Sequence, residues 1–136
     1  GGERAMRLAL STLPKDRSVN YINAHGTSTP VGDIGEIEAV RRVFGKGKIP
    51  PVSSTKSMTG HSQGAAGALE AIYCLLMLEH DFICPSINVQ ALDPALNPNE
   101  IATELVENAG LDSVMTNSFG FGGTNGSMIL SKYRNT

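Results

Sequence analysis

Three stretches of this 136-residue chain bring together residue types that handle developing negative charge. One is Asn117-Ser118-Phe119-Gly120-Phe121-Gly122-Gly123-Thr124-Asn125. The others are Ala24-His25-Gly26-Thr27-Ser28-Thr29 and Ser54-Thr55-Lys56-Ser57-Met58-Thr59-Gly60-His61. Gly120, Gly122 and Gly123 give a backbone that enters positive-φ conformations and lets amide N–H groups approach a ligand closely, which suits a site holding an oxyanion. His25 directly follows a predicted strand, among hydroxyls that can orient its ring or bind a carbonyl group. His61 also follows a strand and opens a helix, whose N-terminal dipole disfavours the imidazolium form. Two neutral imidazoles aimed at one point would stabilise an enolate oxygen as it gains charge.

Each of these features has a plainer reading. A loop histidine can serve as a cap or a surface residue, and the glycine-rich turn can be a tight hairpin whose glycines only satisfy backbone geometry. Glu70 sits in the most apolar stretch of the chain, among Ala66, Leu69, Ala71, Ile72 and Tyr73. A carboxylate there is costly unless a cation meets it, and Lys56 is the candidate. The pair reads equally as catalytic support or as a structural ion pair that fixes the loop. His80, between Glu79 and Asp81, reads as a helix C-terminal residue favoured by the dipole, with no chemistry.

The elements that must hold these loops follow from periodicity. Glu3 to Leu13 carries Met6, Leu8, Ala9, Leu10 and Leu13 on a helical pattern that Pro14 ends. Val19 to Asn23 is a β-branched and aromatic run that empties into the first histidine loop. Asp33 and Glu36 have capping-box spacing, and Ile34, Ile37, Val40 and Val43 then predict a helix over about 34–44. Val52 to Thr55 predicts a short strand. Ser62 to Glu79 predicts a central helix with almost no polar face, buried on all sides. The segment from Pro85 to Pro98 reads as an ordered surface connection. Ser113 to Ser118 and Gly126 to Lys132 predict two strands paired as an antiparallel hairpin around the glycine-rich turn. The sum is an α/β layered unit.

Composition limits the partners. The length suits one domain or part of one, and a formal charge of −2 leaves no basic footprint for nucleic acid. Cys74 and Cys84 lie in apolar surroundings without zinc-like spacing, so they read as buried reduced thiols, which fits a cytoplasmic location. The longest apolar stretch, Ala71 to Leu78, is far short of the roughly 20 residues a membrane span needs, and no secretory leader is visible. The opening Gly1-Gly2, already inside a predicted helix, suggests that a preceding portion of the natural protein is missing.

Asn23-Ala24-His25-Gly26-Thr27-Ser28-Thr29-Pro30-Val31-Gly32-Asp33, the run from Ser54 to Gly67, and Asn117 to Asn125 together resemble the β-ketoacyl-acyl-carrier-protein synthases, with three motifs in the right order over nearly the whole chain. The resemblance implies a thiolase-like layered fold of two similar halves, each a mixed sheet packed between helices. Residues 1–136 correspond to the C-terminal half. It further implies a decarboxylative Claisen condensation of an acyl-enzyme with malonyl-carrier protein, as in fatty-acid elongation. The family's nucleophilic cysteine lies in the other half, and neither Cys74 nor Cys84 matches it, so the isolated chain is expected to be inactive in condensation.

By the same resemblance, His25 and His61 correspond to the pair that assists decarboxylation, and Lys56 to the lysine that organises them. Phe121 would give a backbone N–H to the oxyanion hole, Phe119 would gate the nucleophile from the malonyl side, and Thr27 and Thr29 would hold the pantetheine arm. Glu70 resembles the carboxylate near Lys56. No cofactor is required, although in several members the neighbourhood of Asn23 and Glu70 holds a monovalent cation. Acyl carrier protein is the expected partner, and the full-length protein is expected to form a homodimer. Phenylalanines where thiolases carry a second cysteine exclude thiolysis, and two histidines favour the elongating class. The alternatives are a polyketide-type ketosynthase half and a non-catalytic, chain-length-determining partner subunit.

Overall fold

Alternation along the strands sorts the core onto the two faces of one sheet. The computed structural model describes residues 1–26, 30–45, 47–56, 60, 63–86, 100–120 and 124–133. Its elements are α1 (Gly2–Ser11), β1 (Val19–Asn23), α2 (Pro30–Phe44), β2 (Val52–Ser53), a 3-10 turn (Gln63–Ala65), α3 (Ala66–His80), β3 (Phe82–Ile83), β4 (Val106–Glu107), β5 (Ser113–Phe119) and β6 (Asn125–Ser131). The main sheet has the order β2-β1-β5-β6. β1 runs parallel to both β2 and β5, pairing Ile22 with Val52 and with Met115. β5 and β6 form the expected antiparallel hairpin, from Ser113 opposite Ser131 to Phe119 opposite Asn125.

Successive strand residues point to opposite faces. Ile22, Ala24 and Met115 therefore pack with Met6 of α1 and Ile37, Ala39 and Val40 of α2. Tyr21 and Val114 face the other way, onto Cys74, Met77 and Leu78 of α3. This is the mixed sheet packed between helices that the resemblance implies.

The structure corrects several local expectations. α2 begins at Pro30 rather than near 34, as a proline suits the first helical position, where its missing N–H would be unpaired anyway. The capping box fails with it, because the Glu36 carboxylate bonds to the amides of another loop. β2 stops at Ser53, because the Ser54 N–H donates to Ser86 Oγ at 2.9 Å instead of continuing a ladder. Within residues 1–136 only one side of α3 is covered. Glu70, Cys74, Met77 and Leu78 form its covered stripe, whereas Ile72, Leu75 and Leu76 are 51%, 50% and 44% exposed. The small β3–β4 sheet was not legible in the sequence. Of the connection predicted from Pro85 to Pro98, residues 87–99 lie outside those described. Beyond it, Ile101 bridges to Val52, and Glu100 is gripped through both carboxylate oxygens by Arg41, the Nε contact being 2.7 Å.

The end of α3 shows a pH-sensitive clasp. Asp81 takes the left-handed conformation with φ 57°, and its carboxylate accepts from the N–H groups of Leu111 at 2.7 Å and Gly110 at 3.1 Å. Those backbone bonds hold its pKa below the usual carboxylate value. A group depressed in the folded state stabilises above its unfolded pKa, and the contribution disappears as pH falls through the folded value. Asp81→Asn is therefore expected to melt below the parent near neutral pH, with the gap closing on acidification. A gap independent of pH would contradict this.

Candidate functional site

Because β1, β2 and β5 are mutually parallel, their C-terminal ends share one edge of the sheet, the edge where open α/β sheets place ligands. His25 comes two residues after β1, Lys56 three after β2, and Phe119 closes β5. The edge thus gathers His25, Lys56 and Phe119.

The His25 loop is tied down by its backbone. Ala24 N–H donates to Ser53 O at 2.8 Å, and Ser54 Oγ donates to Gly26 O at 2.9 Å. A Cβ at position 26 would stand 3.2 Å from Ser54 Cβ, so glycine allows the two loops to approach. Glu36 of α2 holds the other side. Its Oε2 accepts from His25 N–H at 2.8 Å and its Oε1 from Gly26 N–H at 3.0 Å. The His25 ring meets the Phe119 ring at 6.0 Å between centroids and 44° between planes. The far edge of Phe119 rests on Gly2, where a Cβ would come within 2.9 Å of Cζ.

Lys56 and Glu70 form the expected ion pair, Lys56 Nζ donating to Glu70 Oε1 with both side chains buried. The pair is common to the structural and the catalytic readings. Taking away one partner of a buried pair leaves an uncompensated charge and costs about 3–5 kcal/mol. Lys56→Ala should accordingly lower the melting temperature markedly, and Lys56→Met with Glu70→Gln should recover part of the loss. An unchanged melting temperature in Lys56→Ala would refute the pairing argument.

Between these groups lies a buried polar strip. Asn23, fully buried, donates through Nδ2 to Thr55 Oγ1 at 3.2 Å and to Tyr21 OH at 3.3 Å. Tyr21 OH and Ser53 Oγ are 2.6 Å apart, and Ser53 Oγ donates to Cys84 O at 2.5 Å. Asn23 Oδ1 and Thr116 Oγ1, on residues directly paired across β1 and β5, are buried with no oxygen or nitrogen partner among the described residues.

Neither cysteine has a setting that favours the thiolate. Cys74 is fully buried, and burial, followed by the nearby Glu70 charge, pushes its pKa up to about 12. Burial also raises that of Cys84. His80 stands exposed in the last turn of α3 with Nε2 4.0 Å from Glu79 Oε2, in keeping with its surface reading.

His61, Thr27, Thr29 and Phe121 lie outside the described residues. Sequence reasoning missed Glu36, although a signal was present. It sits four residues before Val40 and seven before Val43, on the buried stripe of α2, where a lone carboxylate must have partners. Asn117 was likewise not singled out as a polar core residue. Its Nδ2 reaches Glu36 Oε2 at 3.5 Å, and its Oδ1 accepts from Ser127 Oγ at 2.8 Å.

Comparison with known proteins shows the family and the fold. Residues 1–90 match the family described as "Beta-ketoacyl synthase, C-terminal domain". The 3-oxoacyl-[acyl-carrier-protein] synthase 1 of Haemophilus influenzae is 61% identical over 133 residues, 98% of this chain and 32% of that protein. Among solved structures, the ishigamide ketosynthase/chain length factor superposes with a TM-score of 0.89 at 39% identity, over 98% of this chain and 33% of that one. A type II polyketide ketosynthase, AntDE, in complex with its acyl-carrier protein AntF, superposes with a TM-score of 0.88 at 31% identity, over 98% and 33%. The chain therefore spans about a third of the length of the relatives it matches.

Proposed function

The chain belongs to the β-ketoacyl synthase family, matching its C-terminal domain, and from this we propose that it serves a decarboxylative condensation in fatty-acid elongation, with the nucleophilic thiol supplied by a segment outside these residues. The observation that carries the reading is the parallel-strand edge where His25, its ring backed by Phe119, meets the loop of the Lys56–Glu70 pair. In the proposed reaction the C–C bond to the malonyl carboxylate breaks, CO2 leaves, and the electron pair passes to the thioester enolate. His25 and His61 donate hydrogen bonds to that enolate oxygen. The carbanion attacks the acyl-cysteine carbonyl, an oxyanion forms against backbone amides that include that of Phe121, and its collapse expels the cysteine thiolate.

The same reading assigns Phe119 to gating, Thr27 and Thr29 to the pantetheine arm, and acyl carrier protein as partner. The carrier-protein complex of the structurally similar AntDE supports that partner. The complete protein would pair with a second copy and work in the cytoplasm. Among the described residues no helix is long and apolar enough to cross a membrane. The 61% identity to a 3-oxoacyl-[acyl-carrier-protein] synthase 1, against 31% to a type II polyketide ketosynthase, favours elongation over the polyketide alternative.

A monovalent cation fits this neighbourhood. Asn23 Oδ1 and Thr116 Oγ1 are adjacent buried oxygens of the hard, neutral kind such an ion prefers. Asn23 and Thr116 would hold it, with Glu70 nearby on α3, and the ion would supply local positive charge and rigidity.

The test is direct. The complete protein, given acyl-loaded and malonyl-loaded carrier protein, should release CO2 and form a 3-oxoacyl product. Carrier binding with no CO2 release would point to the non-catalytic partner-subunit alternative.

A further inference from the structure

We propose that Tyr21 is a positioning residue for Asn23, its hydroxyl holding the side-chain amide so that Oδ1, and not the NH2 group, is presented to a monovalent cation beside Thr116; this rests on the cation reading given above. The polarity of the buried polar strip follows from counting protons. A carbonyl oxygen only accepts, so the 2.5 Å contact between Ser53 Oγ and Cys84 O uses the one proton of the serine hydroxyl. The 2.6 Å contact between Tyr21 OH and Ser53 Oγ must then be donated by the tyrosine. With its proton spent, the Tyr21 oxygen can only accept, and the Asn23 atom 3.3 Å away must be the NH2 group. An amide turned over would set two oxygens against each other with no proton between them.

The chain of hydroxyls is held at both ends. Cys84 O belongs to the backbone directly after β3, and Tyr21 is fully buried in one cluster with Cys74, Met77 and Leu78 of α3. Burial also keeps the Tyr21 pKa above its ordinary value, so the phenol retains the proton that the chain needs. Tyr21 and Asn23, with their partners Val114 and Thr116 across β5, share the face of the sheet that α3 covers with its buried Glu70 and Cys74. The arrangement leaves Asn23 Oδ1 and Thr116 Oγ1 as buried oxygens with no oxygen or nitrogen partner among the described residues. Keeping a buried carbonyl oxygen unpaired is costly, and a chain of fixed polarity that does so suits a positively charged ligand. A hard cation takes neutral oxygens of this kind, whereas the NH2 group of a turned amide would repel it.

The test uses the complete protein, melted in KCl and in choline chloride at equal ionic strength, because an ion that binds only the folded state raises the melting temperature with its concentration. The parent should melt higher in KCl. Tyr21→Phe keeps the packing of the ring and removes the hydroxyl. It should raise the half-effective KCl concentration by about 10- to 100-fold, the usual effect of losing a group that orients a metal ligand. Ser53→Ala, which leaves Tyr21 in place, should act in the same direction, because the phenol can then give its proton to a turned amide; it decides the matter if Tyr21→Phe does not fold. Asn23→Asp, with an oxygen on either side, should restore the KCl response in the Tyr21→Phe background. A half-effective concentration unchanged in both single variants, or a response not restored in the Tyr21→Phe, Asn23→Asp double variant, would overturn the proposal. A parent that melts alike in KCl and in choline chloride would instead overturn the cation reading on which it rests.

Discussion

Replacing His25 by alanine in the complete protein is expected to slow malonyl decarboxylation by about 10²–10³-fold while leaving acyl transfer to the nucleophile nearly unchanged, the range found when one preorganised donor to a developing oxyanion is lost. The split arises because the two half-reactions build charge on different oxygens. In the proposed reaction loading would put it on the acyl thioester, served by backbone amides, whereas decarboxylation would put it on the malonyl thioester, served by the imidazole. This ring has a dedicated role in the proposed reaction. The His25 backbone N–H donates to Glu36, Ser54 Oγ donates to the carbonyl of the following Gly26, and the His25 ring lies 6.0 Å from that of Phe119 at 44°. Rapid-quench measurement of acyl-enzyme and of CO2 separates the two steps. Equal losses in both would mean that His25 only supports the fold.

The second large effect concerns the thiols of this segment. With its pKa pushed well above that of a free thiol, Cys74 stays protonated at pH 7, and the thiolate is the reactive form. Its causes are structural. The side chain is wholly enclosed between α3 and the sheet, and Glu70 one turn away adds a repelling negative charge that the Thr116 hydroxyl only partly offsets. Cys84 is less buried but also raised. After incubation with an acyl thioester, peptide mapping of the complete protein should find the acyl group on a cysteine outside residues 1–136 and none on Cys74 or Cys84. An adduct on either that turns over into product would contradict the division of labour proposed above.

Much of the fold was legible because its signals are local. The hairpin of β5 and β6 follows from two strand-like runs on either side of a glycine-rich turn, and β1 from a five-residue run that carries Val19, Tyr21 and Ile22. The Lys56–Glu70 pair could be inferred because an acid inside an apolar helix demands a cation. What was not legible depended on distant partners. Glu36 has the spacing of a capping residue, and only the approach of the 25–26 loop reveals its real acceptor role. Residues 1–136 leave Ile72, Leu75 and Leu76 of α3 uncovered, since composition records how apolar a helix is and not which side its own chain covers. Among the site residues, His25, Lys56, Glu70, Asn23 and Phe119 are found on or beside the common strand edge, whereas His61, Thr27, Thr29 and Phe121 fall outside the described residues.

The central claim is that two imidazoles share one enolate oxygen, and a double-mutant cycle on decarboxylation tests it most directly. Groups that act as a unit give strongly non-additive losses. His25→Ala and His61→Ala should each remove most of the rate, and the double variant should lose far less than the product of the two single losses. A double variant whose loss equals that product would show the histidines acting at separate places, and the proposed site would be wrong.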